Sequence, residues 1–268
     1  MTIKIATTGD KGGVGKTTTA VNLGDMLTES GAKVLLIDFD PRGDCATSLG
    51  LRPEPGVKDL FVSNKPGSAI IRRTSNPLLD VLPGNKTTEG ALAYLKTMET
   101  SRSEIATQLL HITETRGAPI YNVIIFDAPP SADILRDVAV EMADIVLLPV
   151  KPEALGLAEV RDLIGRLQQR QRAVVLPVMY RPTNVHDAML AQMDEWWPEH
   201  TGILIRVQTA STDLSNRILV VPNNKFPPEA SAMRQTLRTY APKDKTTGAY
   251  RRLAEEITRI SLTVAGDD

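Results

Sequence analysis

The stretch Gly9 to Thr19 reads GDKGGVGKTTT and decides the fold. An apolar run, Ile3 to Ala6, precedes it, and helix-forming sequence follows it directly. This order predicts a strand, a glycine-rich loop and a helix, in which successive backbone N–H groups face one anion and the helix N-terminus adds its positive dipole. We therefore interpret the stretch as a phosphate-binding loop, in which Lys16 neutralises the β- and γ-phosphates and the Thr17 hydroxyl binds Mg2+.

The loop departs from the plain G-x-x-x-x-G-K-[ST] pattern, because Asp10 stands five positions before Gly15. It gains Lys11 in exchange, so that two lysines flank the glycines. An ordinary glycine-rich turn with incidental lysines is the alternative, and the strand before the loop and the helix after it argue against that alternative. The residues predicted to contact the phosphates from within the chain are Gly12, Gly13, Val14, Gly15, Lys16, Thr17 and Thr18.

Composition sets limits on the whole chain. Its 268 residues are 42% hydrophobic and 24% charged, which is enough apolar sequence for a sizeable core, and we expect one domain over residues 1–268. The formal net charge of −1 gives no global sign of nucleic-acid binding. A single cysteine, Cys45, excludes an intramolecular disulfide and any single-chain zinc or iron–sulfur site that needs several thiolates. No signal sequence and no apolar run near ~18 residues is present, so we expect a soluble cytoplasmic protein.

Continuous Val, Ile and Leu runs recur along the chain, and such runs indicate strands that are buried on both faces of a sheet. The predicted strands are Ile3–Thr8, Lys33–Asp38, Leu78–Leu82, Tyr121–Asp127, Ile145–Val150, Ala173–Met179 and Ile203–Val207. The predicted helices are Thr17–Ser30, Thr88–Thr115 in one or two pieces, Ser131–Ala143, Leu155–Gln171, Asn184–Trp196 and Lys245–Val264. Their alternation predicts a doubly wound α/β fold with a mostly parallel central sheet flanked by helices.

Glycine and proline mark the expected boundaries. Gly31 and Gly117 are predicted to end helices, because glycine readily adopts the left-handed conformation of a C-terminal cap. The stretch Arg52–Pro77 is rich in proline and glycine, and we expect it to be an irregular excursion on the surface.

Three aspartates follow two of the apolar runs, where each predicted strand ends. Asp38 and Asp40 follow Val34–Ile37, and Asp127 follows Val123–Phe126. In an open α/β sheet the ligand binds beyond the carboxyl ends of the strands, so we expect these aspartates to converge on the phosphate loop. Asp127 is the predicted Mg2+ carboxylate, acting through a water, and Asp40 is predicted to position the attacking water. Asp38 is the alternative for that second role or a helper for Mg2+, while an aspartate that only caps the next turn is the alternative at each position.

Three ordered segments carry a specific resemblance. Lys11 to Thr18 matches a K-G-G-x-G-K-[ST] loop, Asp38 to Asp44 resembles the D-x-D-P-Q-G-N segment called switch I, and Asp127 to Ser131 resembles the D-x-P-P-S segment called switch II. In these segments the chain is similar to the ParA/MinD family of deviant-Walker ATPases. Thr18–Gly24 and Gly248–Ala254 also match that family, so the resemblance spans nearly the whole chain.

This resemblance implies a nucleotide-driven switch. Family members bind ATP with Mg2+ and form a face-to-face dimer around two ATP molecules, in which Lys11 of one subunit would reach the nucleotide of the other, like an arginine finger supplied in trans. Hydrolysis would then release the dimer. Lys151, at the end of another predicted strand, is a candidate second cationic contact to the nucleotide, and a solvated lysine is the alternative. Arg42 and Asp44 stand where the family has Gln and Asn, which leaves the contacts of switch I open.

Several branches of the family are disfavoured. The single cysteine excludes the nitrogenase-reductase branch, and the chain has no tyrosine cluster of the kind found in the tyrosine-kinase branch. Because the first strand begins at Ile3, no N-terminal helix-turn-helix is expected. The residues from Ala254 to Asp268 are acidic overall, which makes a poor membrane anchor. The short, Soj-like ParA type remains.

That type implies an ATP-bound homodimer that binds double-stranded DNA of the nucleoid without sequence preference, and a ParB-like or cargo-adaptor protein that stimulates hydrolysis. Arg217, Arg251 and Arg252 are the candidate DNA contacts, with solvated surface arginines as the alternative. The cargo could be a plasmid, a chromosome origin or a protein assembly such as a carboxysome. A MinD-like membrane-surface regulator and an assembly ATPase that does not bind DNA are the alternative functions.

Overall fold

The fold is organised around a sheet of mostly parallel strands. The computed structural model describes residues 2–9, 11–115, 117–131, 133–168, 171–196, 202–205 and 218–264. Its strands, in chain order, are β1 (Ile3–Thr7), β2 (Val34–Asp38), β3 (Arg72–Arg73), β4 (Leu79–Leu82), β5 (Glu114–Thr115), β6 (Ala118–Pro119), β7 (Val123–Asp127), β8 (Ile145–Val150), β9 (Arg172–Tyr180), β10 (Gly202–Leu204) and β11 (Val221–Pro222).

The main sheet has the strand order β10-β9-β8-β1-β7-β2-β4-β3, and β11 pairs with the C-terminal end of β9. Every pairing in this set is parallel except that of β3 with β4. β5 and β6 form a separate antiparallel ribbon. The chain starts in the middle of the sheet and builds outward in both directions, which confirms the predicted doubly wound α/β fold.

Helices cover both faces of the sheet. They are α1 (Lys16–Leu27), α2 (Asp44–Ser48), α3 (Val57–Phe61), α4 (Gly67–Ile70), α5 (Thr88–Thr97), α6 (Arg102–Thr113), α7 (Ile134–Met142), α8 (Ala154–Ile164), α9 (Asn184–Trp196), α10 (Phe226–Ala232), α11 (Leu237–Tyr240) and α12 (Lys245–Val264). Among the residues described, no helix has both the length and the apolar character needed to cross a bilayer.

Strand β2 shows why the sheet must be covered on both sides. All five of its residues are buried. Successive side chains of a strand point to opposite faces, and Val34 and Leu36 accordingly pack in one hydrophobic cluster while Leu35 and Ile37 pack in the other. The first cluster includes residues of α1 and α12, and the second includes residues of α5, α6, α7 and α8. A continuous apolar strand therefore requires helices on both faces.

Most predicted elements are present with ends shifted by a few residues. The predicted helix over Thr88–Thr115 consists of two pieces, α5 and α6, because Ser101 caps the start of α6 by accepting a hydrogen bond from the N–H of Glu104. Gly31 is a left-handed C-terminal cap as predicted, of the 3-10 turn Thr28–Ser30 that continues α1, since its φ is 84° and its N–H donates to Thr28 O. Val207, at the end of the last predicted strand, lies outside the described residues.

Two boundary predictions are wrong. Gly117 has a φ of 77° but lies between β5 and β6, so it serves a strand turn, while α6 ends earlier, at Thr113. The stretch Arg52–Pro77 contains α3 and α4 and is partly core, because Val57 and Ile70 are fully buried. Its apolar residues have the spacing of single helical turns. The proline and glycine residues around them hide this spacing in the sequence.

Candidate active site

The carboxyl ends of three neighbouring strands bring the predicted site together. Asp127, at the end of β7, is in register with Thr7 of β1 on one side and with Asp38 of β2 on the other. The loop that follows β1 therefore begins beside both carboxylates. This arrangement matches the expectation that ligands bind beyond the carboxyl ends of parallel strands.

The phosphate loop ends at Gly15, whose φ of 83° only glycine adopts readily, and α1 begins at Lys16. The Lys16 ammonium donates a hydrogen bond to the backbone oxygen of Lys11, with a distance of 2.9 Å from Nζ to O. Burial lowers the pKa of Lys16, and the carboxylates of Asp127 and Asp40 oppose that change. Lys16 is thus held inside the curve of the loop, facing the acidic residues.

Asp38 organises switch I. Its Oδ1 accepts a hydrogen bond from the N–H of Asp40 at 2.9 Å, and its Oδ2 accepts one from the N–H of Cys45 at 3.1 Å. The side chain is fully buried, and burial together with the nearby Asp127 carboxylate raises the pKa of Asp38 well above its usual range. Because both oxygens bind the backbone, the geometry favours a role for Asp38 in shaping switch I over direct positioning of water.

Asp127 offers a buried oxygen that fits a hydrated Mg2+. Its Oδ2 accepts a hydrogen bond from the Cys45 thiol at 3.5 Å, whereas its Oδ1 is buried with no hydrogen-bond partner in the described part of the chain. Burial raises the pKa of Asp127 to about 6, and the nearby Thr17 side chain and the Cys45 thiol offset part of that rise. An unpaired buried carboxylate oxygen beside the Thr17 hydroxyl suits a hard cation that keeps several of its waters.

Arg42 accounts for the unusual sequence of switch I. Oδ1 of Asp40 accepts a hydrogen bond from the Arg42 N–H at 2.9 Å and lies 3.5 Å from Nε of the same residue. The guanidinium also reaches Asp44, with 3.3 Å between Nη2 and Oδ2. Arg42 and Asp44, the two residues that depart from the family pattern, therefore form an ion pair with each other. Arg42 also contacts Asp40.

Lys11 and Lys151 line one narrow cleft beside the loop, together with Glu153. The Lys11 ammonium lies 3.8 Å from Oε2 of Glu153, and both side chains are exposed to solvent by 40% or more. An exposed ion pair of this kind contributes little to stability. Lys11 is therefore available for another contact.

Sequence reasoning missed a second cleft, of about 540 Å3, on the other side of the loop. It is lined by Val14, Gly15, Thr18, Val178, Met179, Val221, Pro222, Asn223, Asn224, Pro227, Pro228, Ser231, Ala232 and Tyr250. Met179 has a φ of 54°, a conformation that is uncommon outside glycine, and it stands where the register between β9 and β11 shifts. These segments lie far apart in sequence, and their only local signal is the run of proline and asparagine that follows Val221.

Sequence reasoning also missed Gly84. A β-carbon at this position would lie 2.4 Å from the backbone oxygen of Asp40 and 2.7 Å from that of Asp38. Such distances are well inside van der Waals contact, so only glycine lets the chain after β4 lie this close to switch I.

The candidate DNA contacts are not grouped by the structure. Arg251 forms a bidentate ion pair with Glu29, with distances of 2.9 and 3.1 Å. Arg252 is exposed and lines a different cleft, of about 510 Å3, together with Arg181 and Lys245. Arg217 lies outside the described residues.

Comparison with known proteins places the chain in a family. A family model described as an AAA domain matches residues 2–176. The chromosome-partitioning ATPase Soj of Thermus thermophilus is 30% identical over 259 residues, which cover 95% of this chain and 94% of that protein. The chain belongs to the ParA/MinD family. The sporulation initiation inhibitor protein Soj of Bacillus subtilis is 29% identical over 256 residues, covering 94% of this chain and 97% of that protein.

The fold agrees with this ParA/MinD membership. The septum site-determining protein MinD from Pyrococcus horikoshii, solved with Mg-ADP, matches with a TM-score of 0.76 and 20% identity, over 98% of this chain and 99% of that one. As a member of the ParA/MinD family the chain is an ATPase, with ATP and Mg2+ as its cofactors. The loop, the buried carboxylate of Asp127 and the Thr17 hydroxyl fit both of these groups.

Proposed function

We propose that this ParA/MinD-family ATPase forms an ATP-dependent sandwich dimer, binds nucleoid DNA without sequence preference, and positions or segregates a cargo in the cytoplasm. A ParB-like or adaptor protein on the cargo stimulates hydrolysis. The observation that carries the proposal is the second lysine of the phosphate loop: Lys16 is buried inside the loop, while Lys11 remains exposed at its edge. The relatives named as chromosome-partitioning and sporulation proteins support the choice of function.

Within one subunit the roles follow from position. The backbone of Gly12 to Thr18 and the Lys16 ammonium hold the phosphates, while Thr17 and, through water, Asp127 hold Mg2+. Asp40 positions the attacking water, and Asp38 keeps switch I in place through its two backbone hydrogen bonds. The base occupies the cleft of about 540 Å3 beside Gly15. That cleft is apolar with a few asparagine side chains, as nucleoside sites commonly are.

Between subunits the exposed lysine acts in trans. Lys11 leaves its weak pair with Glu153 and contacts the phosphates bound by the partner subunit, as an arginine finger does. Lys151 lines the same cleft and adds a second positive charge at that face. Loss of the γ-phosphate removes the charge that holds the two subunits together.

DNA binding is assigned to an exposed cationic cleft formed by Arg181, Lys245 and Arg252. This cleft shares Pro222 and Asn223 with the cleft assigned to the base. Occupation of one cleft can therefore change the shape of the other through one short segment. Dimerisation doubles the number of phosphate contacts, so weak binding by a monomer becomes useful binding by a dimer.

The test uses a variant that holds ATP without hydrolysing it. Asp40→Ala is mixed with random-sequence duplex DNA in the presence of ATP, ADP or no nucleotide, and binding is followed by gel shift at two salt concentrations. We expect salt-sensitive binding with ATP alone. Equal binding in all three states, or none in any, would contradict the proposal and favour an assembly ATPase that does not bind DNA.

Two neighbouring arginines provide matched variants in the same background. Arg252→Ala should weaken DNA binding for every sequence and lower the salt slope by about 1. Arg251→Ala should alter DNA binding less, because Arg251 is already paired with Glu29. If Arg252→Ala leaves DNA binding unchanged, the cationic cleft is not the interface.

A MinD-like membrane role is the second candidate, and α12 argues against it. Leu253 and Ile257 of this helix are buried in one hydrophobic cluster with residues of α1, so this apolar face is already covered, although Leu262 near the end of the helix is 72% exposed. Sedimentation with vesicles that contain anionic lipid tests the point. ATP-dependent binding to those vesicles would favour the membrane role.

A further inference from the structure

A buried arginine joins the helix after switch II to the base of the phosphate loop. Arg136 lies in the first turn of α7 and is only 8% exposed. Its Nε donates a hydrogen bond to Oγ1 of Thr8 at 3.2 Å. Thr8 is fully buried and is the first residue after β1, where the phosphate loop begins. None of the motifs used above includes this pair.

A side-chain cap holds the backbone at the start of α7. Asp133 caps α7 by accepting hydrogen bonds from the N–H groups of Leu135 and Arg136, at 3.1 and 3.0 Å. The cap stands six residues after Asp127, at the end of the segment that includes switch II. Any shift of α7 would therefore move both the switch II segment and the guanidinium that holds Thr8.

Helix α7 has a second, more exposed attachment. Arg102 of α6 forms ion pairs with Asp137 and, at 3.8 Å, with Glu141. These side chains are 44% to 55% exposed, so the two ion pairs contribute little to stability. The buried contact of Arg136 with Thr8 is the one that reaches the nucleotide site.

We infer that Arg136 is a positioning residue for ATP hydrolysis: it ties α7 and switch II to the phosphate loop through Thr8 and places a fixed positive charge behind the bound phosphates. The inference rests on the ATPase assignment and is independent of DNA binding.

Electrostatics supports this placement. The Arg136 charge is near enough to contribute to the lowered pKa of Lys16, so its field reaches the ammonium that faces the phosphates. A positive charge whose field reaches this site interacts more favourably with the triphosphate than with the diphosphate, because the triphosphate carries more negative charge.

The experiment compares five single variants, and the double variant Arg136→Gln/Thr8→Ala, in the full chain without DNA or partner protein. Arg136→Gln removes the charge and Thr8→Ala removes its hydrogen-bond partner, whereas Arg136→Lys and Thr8→Ser are conservative. Arg102→Gln is the matched control, because it removes an equal charge that pairs with exposed carboxylates of α7. Thermal unfolding, the dissociation constants for ATP and ADP, and kcat are measured for each.

We expect Arg136→Gln to lower kcat by roughly 10- to 100-fold, as the loss of a buried charged hydrogen bond implies, and to weaken ATP binding more than ADP binding. Thr8→Ala should lower kcat while leaving the ratio of ATP to ADP affinity near that of the wild type. Thr8→Ser should restore turnover, and Arg136→Lys should restore the ATP preference. In the double variant the two losses should be less than additive.

Three results would overturn the inference. They are wild-type turnover in Arg136→Gln, an equal effect of Arg102→Gln, or equal weakening of ATP and ADP in Arg136→Gln. If Arg136→Gln does not fold, turnover in Thr8→Ala compared with Thr8→Ser decides the question. None of these measurements involves DNA. A failure to bind DNA would therefore contradict the proposed partition function and leave the role of Arg136 standing.

Discussion

The guanidinium of Arg42 lies 3.5 Å from Oδ1 of Asp40, the carboxylate assigned to the attacking water. The same side chain is 3.3 Å from Asp44 and is 62% exposed. The carboxylate of Asp40 can therefore contact either the attacking water or Arg42. Asp44 competes with Asp40 for the Arg42 guanidinium. Turnover should depend on how this competition is resolved.

Replacing Arg42 should raise basal hydrolysis. Arg42→Gln removes the guanidinium from Oδ1 of Asp40 and leaves the backbone N–H of residue 42 as a donor to that oxygen. Because a pair made by an exposed arginine is worth about 0.2–1 kcal/mol, kcat should rise by roughly 1.5- to 5-fold. Asp44→Asn is the control, since it removes the competing carboxylate and should lower kcat slightly. Steady-state phosphate release measures both. An unchanged or lower kcat in Arg42→Gln would show that the pair does not restrain Asp40.

The two loop lysines should separate binding from dimerisation. Lys16→Ala removes the buried ammonium that faces the phosphates, so ATP binding should be lost. Lys11→Ala removes only the exposed lysine, so ATP binding should survive while ATP-dependent dimerisation and turnover fall. Calorimetry and light scattering with ATP and ADP measure the two properties. Wild-type dimerisation and turnover in Lys11→Ala would exclude Lys11 from the mechanism.

The buried carboxylate of Asp127 should lower stability at neutral pH. Burial raises the pKa of Asp127 from 3.8 to about 6, so the folded protein binds more protons than the unfolded chain between these values. Stability contributed by this group therefore falls as pH rises from about 4 to about 6, and remains low above that range. Asp127→Asn removes the titration of this group and also relieves the repulsion that raises the pKa of Asp38. Without nucleotide and with EDTA it should be more stable than the wild type by about 2–3 kcal/mol at pH 7 and by little at pH 4.

Denaturant unfolding at a series of pH values checks that prediction. Asp162→Asn is the control, because its carboxylate is 60% exposed and carries no comparable burial cost. A stability gain in Asp127→Asn that is independent of pH would contradict the assignment of the effect to the buried charge.

Gly84 should tolerate no side chain. The β-carbon of Gly84→Ala would overlap the backbone oxygens of Asp40 and Asp38, so switch I must shift. We expect a loss of roughly 1–3 kcal/mol in the free energy of unfolding, together with reduced turnover. Gly90→Ala, in α5, meets no atom within 4 Å and should be neutral or slightly stabilising. Equal melting temperatures for Gly84→Ala and the wild type would show that the segment gives way without cost.

The parts of the site that could be predicted are those encoded locally. The phosphate loop and Asp127 each follow an apolar strand directly, so strand order alone brings them to one edge of the sheet. The contact of Thr8 with Arg136 joins residues 128 positions apart, and the approach of Gly84 to switch I joins β4 to β2. No local sequence pattern predicts either contact, because each depends on how helices, strands and loops that are distant in sequence pack together.

The same limit explains the errors at boundaries. Gly117 has the backbone conformation that was predicted, but a left-handed glycine serves a strand turn as well as a helix end. In Arg52–Pro77 the apolar residues Val57 and Ile70 are too few for a periodic signal, although both are fully buried.

The cleft assigned to the base has a consequence for how such proteins can change. Most of its lining, including Met179, Asn223 and Tyr250, lies after residue 176, where the match to the family model ends. The phosphate loop, Asp38, Asp40 and Asp127 all lie before that residue. On the proposed assignment, preference for one nucleobase depends on a different part of the chain from the chemistry on the phosphates, and a hybrid that exchanged the last third of the chain together with its packing partners on α1 is expected to alter which nucleotide is accepted.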